Sequence, residues 1–302
     1  MPKSMRGFTD TDRMGRKTIA VLSGKGGTGK TFVSVNLACV SAPSTYVDCD
    51  AEEPNGHLYF KPQLLHVQKV DVPLPRVDPA RCEGCRKCVD FCAFHALAWA
   101  NGSLLVFDEL CHACGGCVMV CPNHALSEVR RNIGEIREGM SGRVRVLSGF
   151  LNPGEASGMP IIKALLERKN GGAGEFIFVD CPPGSSCMVS ESVKDADYCV
   201  LVAEPTLFGA HNLKMVHELV RLHEKPCGAV LNKCLPGDDP SLDYCRAEGI
   251  PILAQIPFDE ELGLLNSNAS IAVLESERYR LLFRELLLEI ETEVPDAAAG
   301  HP

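Results

Sequence analysis

Apolar residues in this chain fall in short continuous runs separated by stretches of helical period, and their order predicts an alternating architecture. Lys17–Leu22 reads as a first strand, followed by a glycine-rich loop and a helix over 32–40. A second strand over 44–47 ends in the acidic DCDAEEPN, which begins at Asp48. From 61 to 78 proline accumulates and periodicity is lost, which marks a boundary. Beyond Arg131 the pattern returns with a polar, glycine-containing stretch through Gly158, a helix over 160–168 and an apolar strand over 176–179 that runs into Asp180. A helix from Val189, a strand over Tyr198–Ala203, a helix over 212–223 and strands over 228–231 and 252–256 follow. Ser276 is placed to cap a last amphipathic helix over 277–290, and 1–16 and 291–302 read as polar, flexible tails. Strands alternating with helices imply a doubly wound, mainly parallel α/β sheet covered on both faces, with ligands expected at the carboxyl ends of the strands.

Composition narrows the class. A chain of 302 residues with 45% hydrophobic and 23% charged residues suits one large globular α/β domain with an insertion, or two domains. No apolar run approaches the roughly 20 residues of a membrane span. The first residues, MPKSMRGFTDTDRMGRK, lack the apolar middle of a secretion signal, so a cytoplasmic location and no membrane partner are expected. A net charge of −9 argues against nucleic acid as a partner. In that compartment, 16 cysteines point to metal or redox chemistry rather than disulfides.

The loop after the first strand reads GKGGTGKT and satisfies the phosphate-binding pattern with Gly24, Gly29, Lys30 and Thr31. Gly26, Gly27 and Thr28 complete a strand–loop–helix unit whose backbone N–H groups would wrap phosphate oxygens. Lys30 would reach the β- and γ-phosphates, and the Thr31 hydroxyl would bind Mg²⁺. The competing reading is an ordinary glycine-rich turn.

Cysteine supplies the second signal. Cys82, Cys85, Cys88 and Cys92 recur 29 positions later as Cys111, Cys114, Cys117 and Cys121, and FHAL at 94–97 recurs as NHAL at 123–126, as a duplicated half-unit would. The spacing CxxCxxCxxxC, used twice, resembles the bacterial ferredoxins that hold two 4Fe-4S clusters. That resemblance implies an α+β insertion over 61–130 in which the fourth cysteine of each run serves the other cluster. Cys82, Cys85, Cys88 and Cys121 would hold one cluster, and Cys111, Cys114, Cys117 and Cys92 the second. Structural zinc is the rival reading. One departure is that Cys121 precedes proline whereas Cys92 precedes Ala93.

Lys25 adds a second lysine to the loop, which then resembles the deviant Walker A motif of the MinD, ParA, Mrp and nitrogenase iron protein group. The resemblance implies that Lys25 crosses a dimer interface to the partner's ATP. It also implies that Asp50, in the DCD at 48–50, positions the attacking water, that Asp180 holds Mg²⁺ through water, and that Asn232 reads adenine beside IPFD at 256–259. Together with VDCPPGSSC and EPTLFGAHNLK, these motifs resemble MinD-superfamily P-loop ATPases with an inserted ferredoxin domain, split as 17–60, 61–130 and 131–290.

The cofactors so implied are ATP, Mg²⁺ and two 4Fe-4S clusters. The implied assembly is a homodimer, or a heterodimer with a related subunit, acting on a redox or apo iron–sulfur partner. Gated electron transfer is the leading expectation, with cluster carriage and a MinD- or ParA-like positioning switch as alternatives. Cys187, seven residues past Asp180, resembles a bridging cluster ligand of nitrogenase iron protein, though no clear second such cysteine is present. Cys39, Cys49, Cys199 and Cys227 read as small buried hydrophobes, and His57, His95, His112 and His124 as packing or surface residues.

Overall fold

A computed structural model of the chain describes residues 15–294. Its strands are β1 (Lys17–Leu22), β2 (Ser44–Asp48), β3 (Gln63–Val77), β4 (Leu97–Ala100), β5 (Ser103–Val106), β6 (Leu126–Ser141), β7 (Val144–Leu151), β8 (Phe176–Asp180), β9 (Tyr198–Ala203), β10 (Cys227–Cys234) and β11 (Ile252–Pro257). The helices are α1 (Lys30–Val40), α2 (Gly56–Phe60), α3 (Lys87–Phe91), α4 (Gly116–Met119), α5 (Met159–Arg168), α6 (Cys187–Val193), α7 (Leu207–Leu222), α8 (Pro240–Glu248), α9 (Glu260–Ser267), α10 (Ala272–Glu275) and α11 (Glu277–Glu293).

Nine strands form one sheet in the order β11-β10-β9-β1-β8-β2-β7-β6-β3. Every pairing from β11 to β7 is parallel, and β6 and β3 add antiparallel strands at one edge. The centre is buried on both faces, which is why its strands read as continuous apolar runs. Along β1, Ile19 and Val21 enter the core under α1, α9, α10 and α11, whereas Ala20 and Leu22 enter the core under α5, α6, α7 and α8. No helix among the described residues is long and apolar enough to cross a membrane.

The structure corrects the reading of 61–78 and 131–158. The first is not an aperiodic boundary but β3, whose Val70, Val72 and Leu74 are buried at every second position. Pro73 and Pro75 disguise it, and they are tolerated because β3 is the edge strand. The second holds β6 and β7, whose glycines serve close packing. A Cβ on Gly149 would lie 2.6 Å from Ile161 of α5, and one on Gly139 would lie 2.6 Å from the Gln63 carbonyl of β3. The excursion from the sheet is therefore 78–125, shorter than 61–130, and it carries the β4–β5 hairpin with α3 and α4.

Smaller corrections concern caps and ends. Thr206 accepts a hydrogen bond from the Gly209 amide at 2.9 Å, so α7 starts five residues before the predicted 212. Ser276 occupies the N-cap of α11 without a side-chain cap bond, and that helix continues to Glu293, past the tail boundary at 291. Arg16 is anchored on the carbonyls of Asn170 and Gly172 rather than free. Residues 1–14 and 295–302 of the two tails lie outside the described residues.

Candidate functional site

Five strands deliver their functional groups to one edge of the sheet, the carboxyl edge at which open α/β sheets bind ligands. β1 runs into the glycine loop, β2 ends at Asp48, β8 ends at Asp180, β9 stops one residue before Glu204, and β10 carries Asn232 and Lys233. The loop depends on glycine where the chain turns: Gly27 and Gly29 have φ of 83° and 94°, and a Cβ on Gly29 would lie 2.2 Å from Asn232 Nδ2. Asn232 donates to the Thr28 carbonyl at 2.8 Å and Lys233 Nζ to the Gly27 carbonyl at 2.7 Å, so β10 braces the loop from behind. The Thr28 hydroxyl is buried without a hydrogen-bond partner, and an anion in the loop would supply one.

Lys30 opens α1 and is buried among acids. Its Nζ donates to Asp180 Oδ1 at 2.6 Å, and the Tyr46 hydroxyl donates to Asp180 Oδ2 at 2.8 Å. Burial works against the Lys30 ammonium, but Asp180, then Asp50 and Asp48, outweigh it and hold its pKa above the ordinary lysine value. The Asp48 carboxyl lies well above the usual range, first through burial and then through Asp180. Asp50 is raised to about 6, by burial first and then by Asp180, with Lys30 opposing. Thr31 follows Lys30, half-buried. The predicted Lys30, Thr31, Asp50 and Asp180 thus share one end of the sheet, with three carboxyls around one ammonium.

Lys25 has a partner within its own chain. Glu204 takes Lys25 Nζ at 2.7 Å and Lys233 Nζ at 2.6 Å. Burial acts to raise the Glu204 pKa, but the bonds from Lys233 and Lys25 outweigh it and hold the value below the usual range. Beside the loop, a cavity of about 120 Å³ is lined by Gly27, Asn232, Phe258 and Asn266, among others, which brings Asn232 and the IPFD segment together. Sequence reasoning missed Glu204, Lys233 and Tyr46. Glu204 and Lys233 carried a usable signal, since both stand at strand ends on the loop's side; Tyr46, inside an apolar run, carried none.

The cysteine lobe repeats in its backbone as well as its sequence. Left-handed residues Gly84, Arg86 and His95 recur 29 positions on as Ala113, Gly115 and His124. One cavity, of about 20 Å³, is lined by Cys82, Cys85, Cys88 and Cys121. A second, of about 150 Å³, is lined by Cys92, Cys111, Cys114 and Cys117. Burial, then Cys111, pushes the Cys117 thiol up to about 11, and burial likewise raises Cys88 and Cys111. Among the described residues, no group of three or more His, Cys, Asp or Glu is placed to hold a metal ion. A 4Fe-4S cubane spreads its four thiolates over four irons, a wider arrangement than donors gathered on one zinc.

The lobe is fixed to the sheet by a paired hydrogen bond from Arg76 to Asp108, at 2.8 Å to each oxygen. His112 stacks on Phe94 at 3.8 Å, a packing role as expected. Cys187 is exposed at the first position of α6 and lines neither cysteine cavity.

The family profile described as the CobQ/CobB/MinD/ParA nucleotide binding domain matches residues 19–271. The chain belongs to this family. An uncharacterized protein of Methanocaldococcus jannaschii, MJ0578, is 37% identical over 194 residues, which cover 62% of this chain and 67% of the relative. The cell division ATPase MinD of Pyrococcus furiosus has the same fold, with a TM-score of 0.57 at 20% identity over 92% of this chain and 99% of that one. MinD of Pyrococcus horikoshii, solved with Mg-ADP, gives 0.55 at 18% identity over 91% and 96%.

Proposed function

We propose that this chain is a Mg²⁺-dependent ATPase that works as an ATP-dependent dimer and couples its nucleotide state to two 4Fe-4S clusters, for electron delivery to a partner protein. The observation that carries this reading is continuity along the chain. Asp48 and Asp50 leave β2 at the nucleotide end, α2 follows, and β3 leads from α2 directly into the cysteine lobe. Family membership and the Lys30–Asp180 pair support the nucleotide half. Two cavities with four thiols each support the metal half.

Lys30 would hold the β- and γ-phosphates, Thr31 and Asp180 the Mg²⁺, and Asp50 the attacking water, with Asn232 and Phe258 on the adenine side. When bound, the clusters would supply one-electron redox chemistry in an apolar shell. In the lobe Arg81, Arg86 and Lys87 stand against Glu83, Asp90 and Glu109, with Asp108 held by Arg76, so the thiolates of bound clusters would make it more anionic and favour a partner with a basic face. Cys85 and Cys114 are exposed, which favours a second reading in which the clusters are cargo for an apo-protein. Clusters that transfer to an apo-ferredoxin on ATP addition would select that reading.

Lys25 provides the test of the dimer. To act across an interface it must leave Glu204, so Lys25→Ala is expected to keep ATP binding within about twofold. It is expected to abolish the ATP-driven shift to a dimer in sedimentation velocity and to slow hydrolysis by roughly 10²-fold. Equal sedimentation and turnover of Lys25→Ala and wild type would remove the cross-subunit role.

A further inference from the structure

Tyr46 is fully buried in the middle of β2, yet its hydroxyl ends on the carboxylate of Asp180, 2.8 Å from Oδ2. A buried hydroxyl is retained without cost to stability only where it finds a partner, and this one bonds to a charged group, the stronger class of hydrogen bond. The ring has little freedom. It packs on Phe60 with centroids 4.9 Å apart, and a Cβ on Gly56 would lie 2.3 Å from both its edge and its hydroxyl. The Gly56 amide in turn donates to Asp48 Oδ2 at 2.9 Å.

Asp180 therefore has two fixed donors, Lys30 on Oδ1 and Tyr46 on Oδ2. They differ in what nucleotide would do to them. Lys30 is the group that turns toward phosphate oxygens in a loop of this type, and Tyr46 is not free to move. Once Lys30 leaves, Asp180 stands beside Asp48 and Asp50 with the lysine no longer holding it, and like charges in a buried site repel strongly. We infer that Tyr46 is the positioning residue for Asp180, keeping its carboxylate aimed at the Mg²⁺ site after Lys30 has moved to the phosphates. The inference rests on the ATPase reading above. It also places one side chain between the Mg²⁺-side carboxylate and α2, whose Gly56 and Phe60 both touch the Tyr46 ring and whose end lies three residues before β3.

Tyr46→Phe keeps the ring and removes only the donor. ATP affinity would be measured by calorimetry in EDTA and across a Mg²⁺ series, with amide exchange followed over 56–62. The Mg²⁺ concentration for half-maximal enhancement of binding is expected to rise about tenfold or more, while metal-free affinity changes by less than about twofold. Protection of 56–62 by Mg-ATP is expected in wild type and absent or much reduced in Tyr46→Phe. A Mg²⁺ curve that overlays wild type would overturn the inference, and so would an equal loss of affinity with and without Mg²⁺, which would mark a structural role alone. Should Tyr46→Phe fold poorly, the same titration on Phe60→Leu, which loosens the ring but keeps the hydroxyl, is expected to give a smaller Mg²⁺ shift; an unchanged curve there would also count against the inference. A wild-type protein that binds no ATP would instead defeat the ATPase reading, and Thr31→Ala serves as the positive control for lost Mg²⁺ dependence.

Discussion

Lys30→Ala is expected to lower ATP turnover by on the order of 10²–10³-fold or more and to weaken nucleotide binding, because the ammonium that would meet the developing charge is gone. The same change strands buried acids. Asp180 loses its 2.6 Å partner, and Asp48 and Asp50 lose the nearest positive charge. Removing one member of a buried pair costs about 3–5 kcal/mol.

The deficit has a pH signature. Asp48 and Asp50 bind protons more readily in the folded chain than in the unfolded one, with Asp50 at about 6. The folded state therefore holds more protons through that window, and stability falls as pH rises through it. Lys30 opposes this rise in both groups, so its loss widens the window upward. Melting curves of nucleotide-free wild type and Lys30→Ala should diverge at about pH 8 and converge toward about pH 5. A constant difference would show that the acids are not charged against Lys30.

Paired cysteine replacements should give the second large effect. The two cavities mix the two sequence runs: Cys121 joins Cys82, Cys85 and Cys88, while Cys92 joins Cys111, Cys114 and Cys117. Cys82→Ala and Cys121→Ala are each expected to remove about half of the reconstituted iron, and the double variant no more than either alone, because both act on one site. Cys82→Ala with Cys92→Ala is expected to remove nearly all of it. If each run of four held its own cluster, these two outcomes would be exchanged, and iron assay of the two doubles decides between them.

How far these features could be read from the sequence depended on whether their cause is local. Glycines 24, 26, 27 and 29, Lys30 and Thr31 form a contiguous pattern, and it folded where the pattern implied. The two cysteine sets are implied by the ferredoxin resemblance, and the repeat at 29 positions is echoed in backbone torsions. The strands β3, β6 and β7 were hidden because Pro73, Pro75, Gly139 and Gly149 look like loop residues until the edge position and the close neighbours are known. Glu204 follows a strand end within EPTLFGAHNLK, which marks it as a candidate, but only the tertiary fold brings its carboxylate to both Lys25 and Lys233. Tyr46 looks like one more core residue of an apolar strand, and only the tertiary fold brings it to Asp180.

We propose that nucleotide at the sheet edge and metal in the lobe belong to one device. Its most direct test is an anaerobic redox titration of the reconstituted protein, followed by electron paramagnetic resonance with and without Mg-ATP. About eight irons per chain, in two reversible 4Fe-4S centres whose potentials or spectra shift when Mg-ATP is added, is the expected result. Failure to take up iron at that ratio, or two centres whose potentials and spectra ignore the nucleotide, would contradict it.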